Sequence, residues 1–324
     1  MTDALVASYL PLITWIGLGM IGCRWLPGMI PYWLGRGLYW LGVPIEVFSL
    51  VRQTDFSQMI GLVPVFALST LAVGFVVAQF SYPLQRRWFI PQWLRVNPTQ
   101  ASLFLPVAEE RAYRGSYLLA SVLGNTGFVG LAIAIQVMSP EYLGWAVFFA
   151  VTQNVIGTYG CGVLIASYYG RATQGWTQLK DLATVPSLWA FLLSMALRSV
   201  EFPTGLETAL NTEVNLVIPL AFILIGIRLR QLPNWQSLKL ALLPTLIKVL
   251  ILPLLMGGLA WGVGLHREAI FAIVLMAGTP TAFAALILAE EYELNRDITT
   301  SSIALSTMGI LALLPLWLLI LEKA

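Results

Sequence analysis

Gly124-Asn125-Thr126-Gly127-Phe128-Val129-Gly130 interrupts a long apolar run with a polar pair set among three glycines. Such a composition is expected where a membrane-spanning helix breaks and turns its backbone toward a solute. A second interruption, Gly278-Thr279-Pro280-Thr281, falls about 150 residues later in another apolar run. The two breaks are expected to face each other at the bilayer midplane and to form a transport site.

Composition supports the membrane setting. Of 324 residues, 58% are hydrophobic and 10% charged, and the mean hydropathy is +0.80. A soluble domain carries about 25% charged residues, so the chain reads as an all-α, polytopic membrane protein. The net charge of +2 comes from basic residues scattered among loops, which speaks against a nucleic-acid partner. Cys23 and Cys161 lie in or beside apolar segments and predict no disulfide framework. The single histidine, His266, argues against a His-ligated metal. The start, Met1-Thr2-Asp3, lacks the basic region of a secretory leader, and Met20-Ile21-Gly22-Cys23 resembles a lipoprotein cleavage site without its upstream basic residues. The first apolar run is therefore expected to stay in the membrane. No Ser/His/Asp constellation, phosphate-binding glycine loop or HExxH pattern is present, so neither an enzyme nor a self-sufficient ATP-driven pump is expected. No cofactor is expected, and coupling to Na+ or H+ is left open.

A spanning helix needs about 20 mostly apolar residues. Ten segments qualify: 5–23, 36–51, 57–80, 114–138, 143–168, 184–199, 208–228, 238–265, 268–290 and 297–321. The second and sixth are short and lean on aromatics such as Trp33, Tyr39 and Trp40. Leu26-Pro27-Gly28-Met29-Ile30-Pro31 reads as a turn. In the longest connection, 81–113, Arg86-Arg87-Trp88 and Gln92-Trp93-Leu94-Arg95 suit a segment lying at a lipid headgroup surface.

Most basic residues, among them Arg86, Arg87, Arg95, Arg111 and Arg114, fall on one side of this arrangement, and Arg52, Arg198, Arg267 and Lys323 on the other. The positive-inside rule then places both termini outside an inner, plasma-type membrane. Ten spans divide into five and five, 1–168 and 184–324, joined by a short cytoplasmic linker at 169–183. Because five is odd, two related fives in sequence must be mutually inverted. The fourth segment enters near Arg114, which puts Asn125 about 16 Å deep, and the ninth enters near Arg267, which puts Pro280 about 20 Å deep. In a hydrocarbon core of about 30 Å both breaks reach the middle, from opposite sides.

Each candidate residue has two readings. Asn125 offers an amide, Thr126 a hydroxyl and Gly127 freedom for an unwound turn; the plainer reading is close helix packing through Gly124, Gly127 and Gly130. Pro280 withholds a backbone donor, and Thr279 and Thr281 either repair the freed carbonyls or coordinate a solute. Lys248 lies about 14 Å from the level of Lys239. It serves either an anionic substrate or, structurally, helix carbonyls or an acidic side chain. Gln153 and Asn154 are deep enough to line a cavity, and interhelical hydrogen bonding explains them as well. Gly157-Thr158-Tyr159-Gly160 and a tenth segment holding Thr299, Thr300, Ser301, Ser302, Ser306 and Thr307 are also polar. Asn211 and Glu213 are placed near the outer surface, and Glu46, beside Pro44, has no role assigned.

The motif Gly124 to Leu131 resembles the fourth-helix signature of the auxin efflux carrier family. Thr279-Pro280-Thr281, Leu288-Ala289-Glu290-Glu291-Tyr292 and Asp297 resemble its C-terminal end, while Pro219 to Gly226 and Lys248 to Pro253 are similar to its seventh and eighth helices. The resemblance implies a short-loop, bacterial-like member with crossing broken helices 4 and 9. It further implies a static unit of helices 1, 2, 6 and 7 that forms a homodimer, and a moving unit of 3–5 and 8–10. It implies export of an auxin-like anion or carriage of a dicarboxylate; an importer coupled to sodium or protons, and a non-transporting scaffold or sensor, are the other readings. The family's fourth-helix proline is replaced here by Ala132.

Overall fold

The computed structural model describes residues 2–27, 29–53, 60–88, 107–170, 186–230 and 235–323. Among them the chain is helical throughout, with one isolated β-bridge. Helix α1 spans Thr2–Gly22. Helix α2 (Ile30–Gly37) runs through a π-helical turn, Leu38–Gly42, into α3 (Val43–Gln53). Helix α4 is Val63–Trp88, and α5 is Val107–Val122. After a break the chain resumes as a π turn, Thr126–Gly130, and α6, Leu131–Val137. Helices α7 (Pro140–Thr152) and α8 (Val163–Tyr169) are joined by a wide π-helical stretch, Gln153–Gly162. Helices α9 (Pro186–Ala196) and α10 (Thr204–Arg230) follow. Helix α11 (Trp235–Leu246) continues through a π turn, Ile247–Ile251, into α12 (Leu252–Gly262). Helices α13 (Arg267–Ala277) and α14 (Phe283–Glu291) flank the second break, and α15 is Arg296–Lys323.

Among the described residues, four helical runs are long and apolar enough to cross a bilayer, two of them through π-helical stretches: Val63–Trp88, Pro140–Tyr169, Leu238–Gly262 and Arg296–Leu318. Large apolar side chains face outward along the bundle, including Leu10, Phe80, Leu164 and Trp261. In water that surface would be a severe liability, whereas in lipid it is the solvated one. The chain is an integral membrane protein.

Local chemistry explains the ends. Pro140 opens α7, where its missing N–H is not needed, and Gly264 at φ +80° closes the turn after α12. The turn expected around Leu26 to Pro31 is shorter than its sequence suggests: Ile30 N–H donates to the Pro27 carbonyl at 2.9 Å and helix begins there. Similarly, helix extends into both ends of the connection expected over 81–113, to Trp88 from one side and from Val107 on the other, and residues 89–106 lie outside the described residues. Ser81 bonds back to the Val77 carbonyl at 2.7 Å and Gln85 bonds Tyr113 Oη at 2.6 Å, so α4 and α5 pair beyond the apolar run that marks each in sequence. Arg86 and Glu110 form an ion pair at 3.1 Å at that end. The Gln92-Trp93-Leu94-Arg95 segment and most of the linker 169–183 lie outside the described residues.

The helices pack in two groups. In the first, α1 lies along α10, and α3 packs on both α9 and α10. A Cβ at Gly19 would collide with the Ile223 carbonyl and one at Gly226 with the Ile16 carbonyl, so the two backbones touch directly. Arg52 ties this group at one end: it bonds Glu207 at 3.0 Å and the Leu197 and Val200 carbonyls, over the Phe202 ring at 3.9 Å. In the second group α4, α5, α7, α12, α13 and α15 surround the two breaks.

Candidate functional site

The site is built from two helices that stop short. Helix α5 ends at Val122 and α13 at Ala277, and the extended segments after them run antiparallel past each other, with Gly124 opposite Thr281. Asn125 N–H donates to the Pro280 carbonyl at 2.7 Å, and Ala282 N–H to the Leu123 carbonyl at 2.9 Å. Two interrupted helices thus repair each other with a fragment of β-ladder, which answers the demand that backbone groups be paired away from water.

Side chains finish the repair. Thr281 Oγ1 donates to the Ala120 carbonyl at 2.8 Å, and Thr281 N–H donates to Ser306 Oγ at 2.9 Å, binding the crossing to α15. Thr279 Oγ1 donates to the Met276 carbonyl at 2.9 Å. Lys248, wholly buried in its π turn, donates from Nζ to the Ala277 carbonyl at 3.0 Å. The carbonyls freed by Pro280 are therefore taken by a threonine and a lysine. A Cβ at Gly124 would lie 2.5 Å from Thr279 Oγ1 and 2.9 Å from Lys248 Nζ. That brings the ammonium group to the crossing point itself.

Asn125 commits its side-chain oxygen to the backbone of the break. Its Oδ1 accepts from Phe128 N–H at 3.2 Å, and its own carbonyl accepts from Val129 and Gly130 N–H at 3.3 and 3.0 Å. The side chain is an N-cap for the resumed helix. Thr126 and Gly127 are buried beside it, and the Thr126 hydroxyl has no partner. Gln153 is buried and donates weakly to the Val122 carbonyl at 3.4 Å, leaving Oε1 unpaired. Asn154 is half-buried. Ser301 and Ser302, marked in sequence only as part of a polar tenth segment, are buried on α15 with unpaired hydroxyls. Their clustering with Ser306 in an apolar helix was the available signal.

The profile of a membrane transport protein family matches residues 101–318, which holds both breaks and Lys248. The chain belongs to that membrane transport protein family. This is the family that the fourth-helix motif resembled, and its members are transporters rather than enzymes. Among its relatives, an uncharacterized transporter of Methanothermobacter thermautotrophicus is 30% identical over 204 residues, 63% of this chain and 67% of its own. The uncharacterized transporter MJ1031 of Methanocaldococcus jannaschii is 26% identical over 208 residues, again 63% and 67%. The uncharacterized transporter YfdV of Escherichia coli is 24% identical over 151 residues, 46% and 48%.

Within this transport-family frame the missing fourth-helix proline has a structural substitute. Ala132 is fully buried in α6, and the break lies upstream of it, at residues 123–125. The Asn125 cap and the wide Thr126–Gly130 turn start the second half-helix without a proline. Gly130 supplies the room, since a Cβ there would sit 2.8 Å from the Thr279 methyl.

Proposed function

We propose that the chain is a secondary transporter that moves a small organic anion by alternating access, with its site at the crossing of the two breaks. The observation that carries this reading is Lys248. A buried ammonium is costly in a membrane, and here it stands against the crossing where two helices open. Its three donors exceed the single acceptor provided by Ala277, and an anion is the ligand that such a group recognises. Asn125, Thr126, Gly127, Thr279, Pro280, Thr281, Gln153 and Asn154 form the rest of the proposed site and its supports.

Under this proposal the helices join end to end into ten spans, and the antiparallel meeting of the two breaks supports two inverted fives. In this reading α1, α2–α3, α9 and α10 are the static unit and the homodimer contact, the remainder moves, and both termini lie outside the plasma membrane. An anion leaving a cell with a negative interior gains about 2.3 kcal/mol per charge per 100 mV, so export needs no coupling ion.

The unpaired oxygens of Thr126, Gln153, Ser301 and Ser302 support a second reading. They are acceptors suited to a cation, hence to a sodium- or proton-coupled importer. Flux of a carboxylate panel into proteoliposomes under imposed gradients separates the two. Flux that follows voltage and ignores sodium and pH is expected for the first reading. Strict dependence on a cation gradient selects the second, and no flux of any carboxylate favours a non-transporting scaffold.

A further inference from the structure

Away from the crossing, α3 holds one carboxylate that the transport reading does not use. Glu46 is wholly buried, and neither of its oxygens has a hydrogen-bond partner. The groups facing it can be taken element by element. Arg52, on the same helix, lies six residues on, about 9 Å along the axis, and is already committed to Glu207 and two carbonyls. From α10, which packs on α3, comes Glu213, half-buried and with its Oε2 also unpaired. Helix α9 carries no ionisable residue, and neither does the Thr126–Gly130 turn. Helix α7 contributes Glu141 and Tyr142, at its first turn. The turn before α3 has Tyr39, whose side chain lies outside the described residues. No cation among the described residues on these elements is free to face Glu46.

A buried carboxylate without donor or counter-ion is heavily penalised when ionised, and a second carboxylate beside it adds repulsion. Neutrality must come from a metal cation or a proton. Metal cations of the hard class need a shell of several oxygens, whereas the described buried residues that follow Glu46 on α3 are Val47, Ser49 and Val51, with a single hydroxyl among them. A proton needs no shell.

We propose that Glu46, with Glu213 beside it, is a proton-binding site between α3 and α10. One proton passes from water to a carboxylate oxygen, with no change in electron count. Half-buried Glu213 leads toward exposed Thr212 and Glu207, which gives the proton a route along α10. The site is also placed to sense motion. Val217 on α10, one turn from Glu213, belongs to a cluster with Leu38, Ala221 and Leu224, against which Phe128 of the first break packs. This inference stands apart from the anion assignment, since it concerns protons alone.

The test is infrared difference spectroscopy of the full chain in lipid nanodiscs, stepped through pH in sodium-free buffer. The expected result is a carbonyl band of a protonated carboxylic acid near neutral pH, shifted in D2O and lost in Glu46→Gln. Glu213→Gln removes the neighbouring charge, so the band should persist and its titration midpoint should fall to lower pH. That second variant keeps Glu46 in place and serves if Glu46→Gln does not fold. A wild-type spectrum matching Glu46→Gln at every pH overturns the proposal, as does a midpoint unmoved by Glu213→Gln. A band that vanishes when sodium is added identifies a cation site instead and also overturns it.

Discussion

Adding one methyl group at Gly124 tests the geometry of the crossing directly. In Gly124→Ala the new Cβ would fall 2.5 Å from Thr279 Oγ1, 2.9 Å from Lys248 Nζ and 3.1 Å from its Cε. The lysine end can swing, at the expense of its bond to the Ala277 carbonyl. Thr279 cannot yield without giving up its bond to Met276, a loss of about 0.5–1.5 kcal/mol. Overpacking a close-fitted site adds about 1–3 kcal/mol, so the expected destabilisation is about 2–4 kcal/mol. Gly124 is not at positive φ, so the reduced entropy of the unfolded chain offsets only about 0.4–1 kcal/mol of this. Gly258→Ala is the control. It sits within α12 with nothing within 4 Å of its Cβ, and should stabilise by about 0.5–1 kcal/mol. Equilibrium unfolding in detergent, followed by tryptophan fluorescence, measures both. In a double-mutant cycle with Thr279→Ala the cost should shrink, with a coupling of about 0.5–3 kcal/mol. If Gly124→Ala unfolds like the wild type and shows no coupling to position 279, the crossing described above is wrong.

Three further outcomes are expected. Asn125→Ala removes the cap of the resumed helix, costing about 1 kcal/mol, and should abolish carboxylate flux in a protein that still folds; wild-type flux would remove Asn125 from the site. Lys248→Gln should weaken binding of a transported anion by tenfold or more, since a hydrogen bond to a charged group is worth about 1.5–3 kcal/mol. Unchanged affinity would reduce Lys248 to a cap on the Ala277 carbonyl. Gly226→Ala, whose Cβ meets the Ile16 carbonyl, should part α1 from α10 and cost about 1–3 kcal/mol, whereas Gly22→Ala, which meets nothing within 4 Å, should be near neutral by the same unfolding measurement.

Much of the candidate site was legible because breaks and charges are rare in an apolar chain. Glycines and a proline with polar neighbours stand out at 124–130 and 278–281, and Lys248 stands out among leucines and valines. What those residues do was less legible. That Asn125 caps the resumed helix could not be read off its sequence; Thr279 and Thr281 look alike in sequence, yet one bonds its own helix and the other bonds Ala120 across the crossing. The sequence allowed Glu46 to be buried but did not decide it, for a related reason. In a soluble protein, periodicity marks the face turned to the core. In lipid, the outer face is as apolar as the inner one, and a glutamate among apolar helix neighbours such as Ile45, Val47 and Phe48 does not say which way it points.

The amino-acid sequence by itself determined that the chain is an all-α membrane protein, where its helices break and which family it belongs to. These are local properties: hydropathy over a span's length, the missing donor of Pro280, the backbone freedom of Gly124 and Gly127. Only the tertiary structure decided that the breaks repair each other, Asn125 N–H to Pro280 O and Ala282 N–H to Leu123 O, and that Lys248 reaches the crossing. Each of those contacts joins distant parts of the chain. An unpaired backbone group in lipid demands a partner, but its own neighbourhood does not name one.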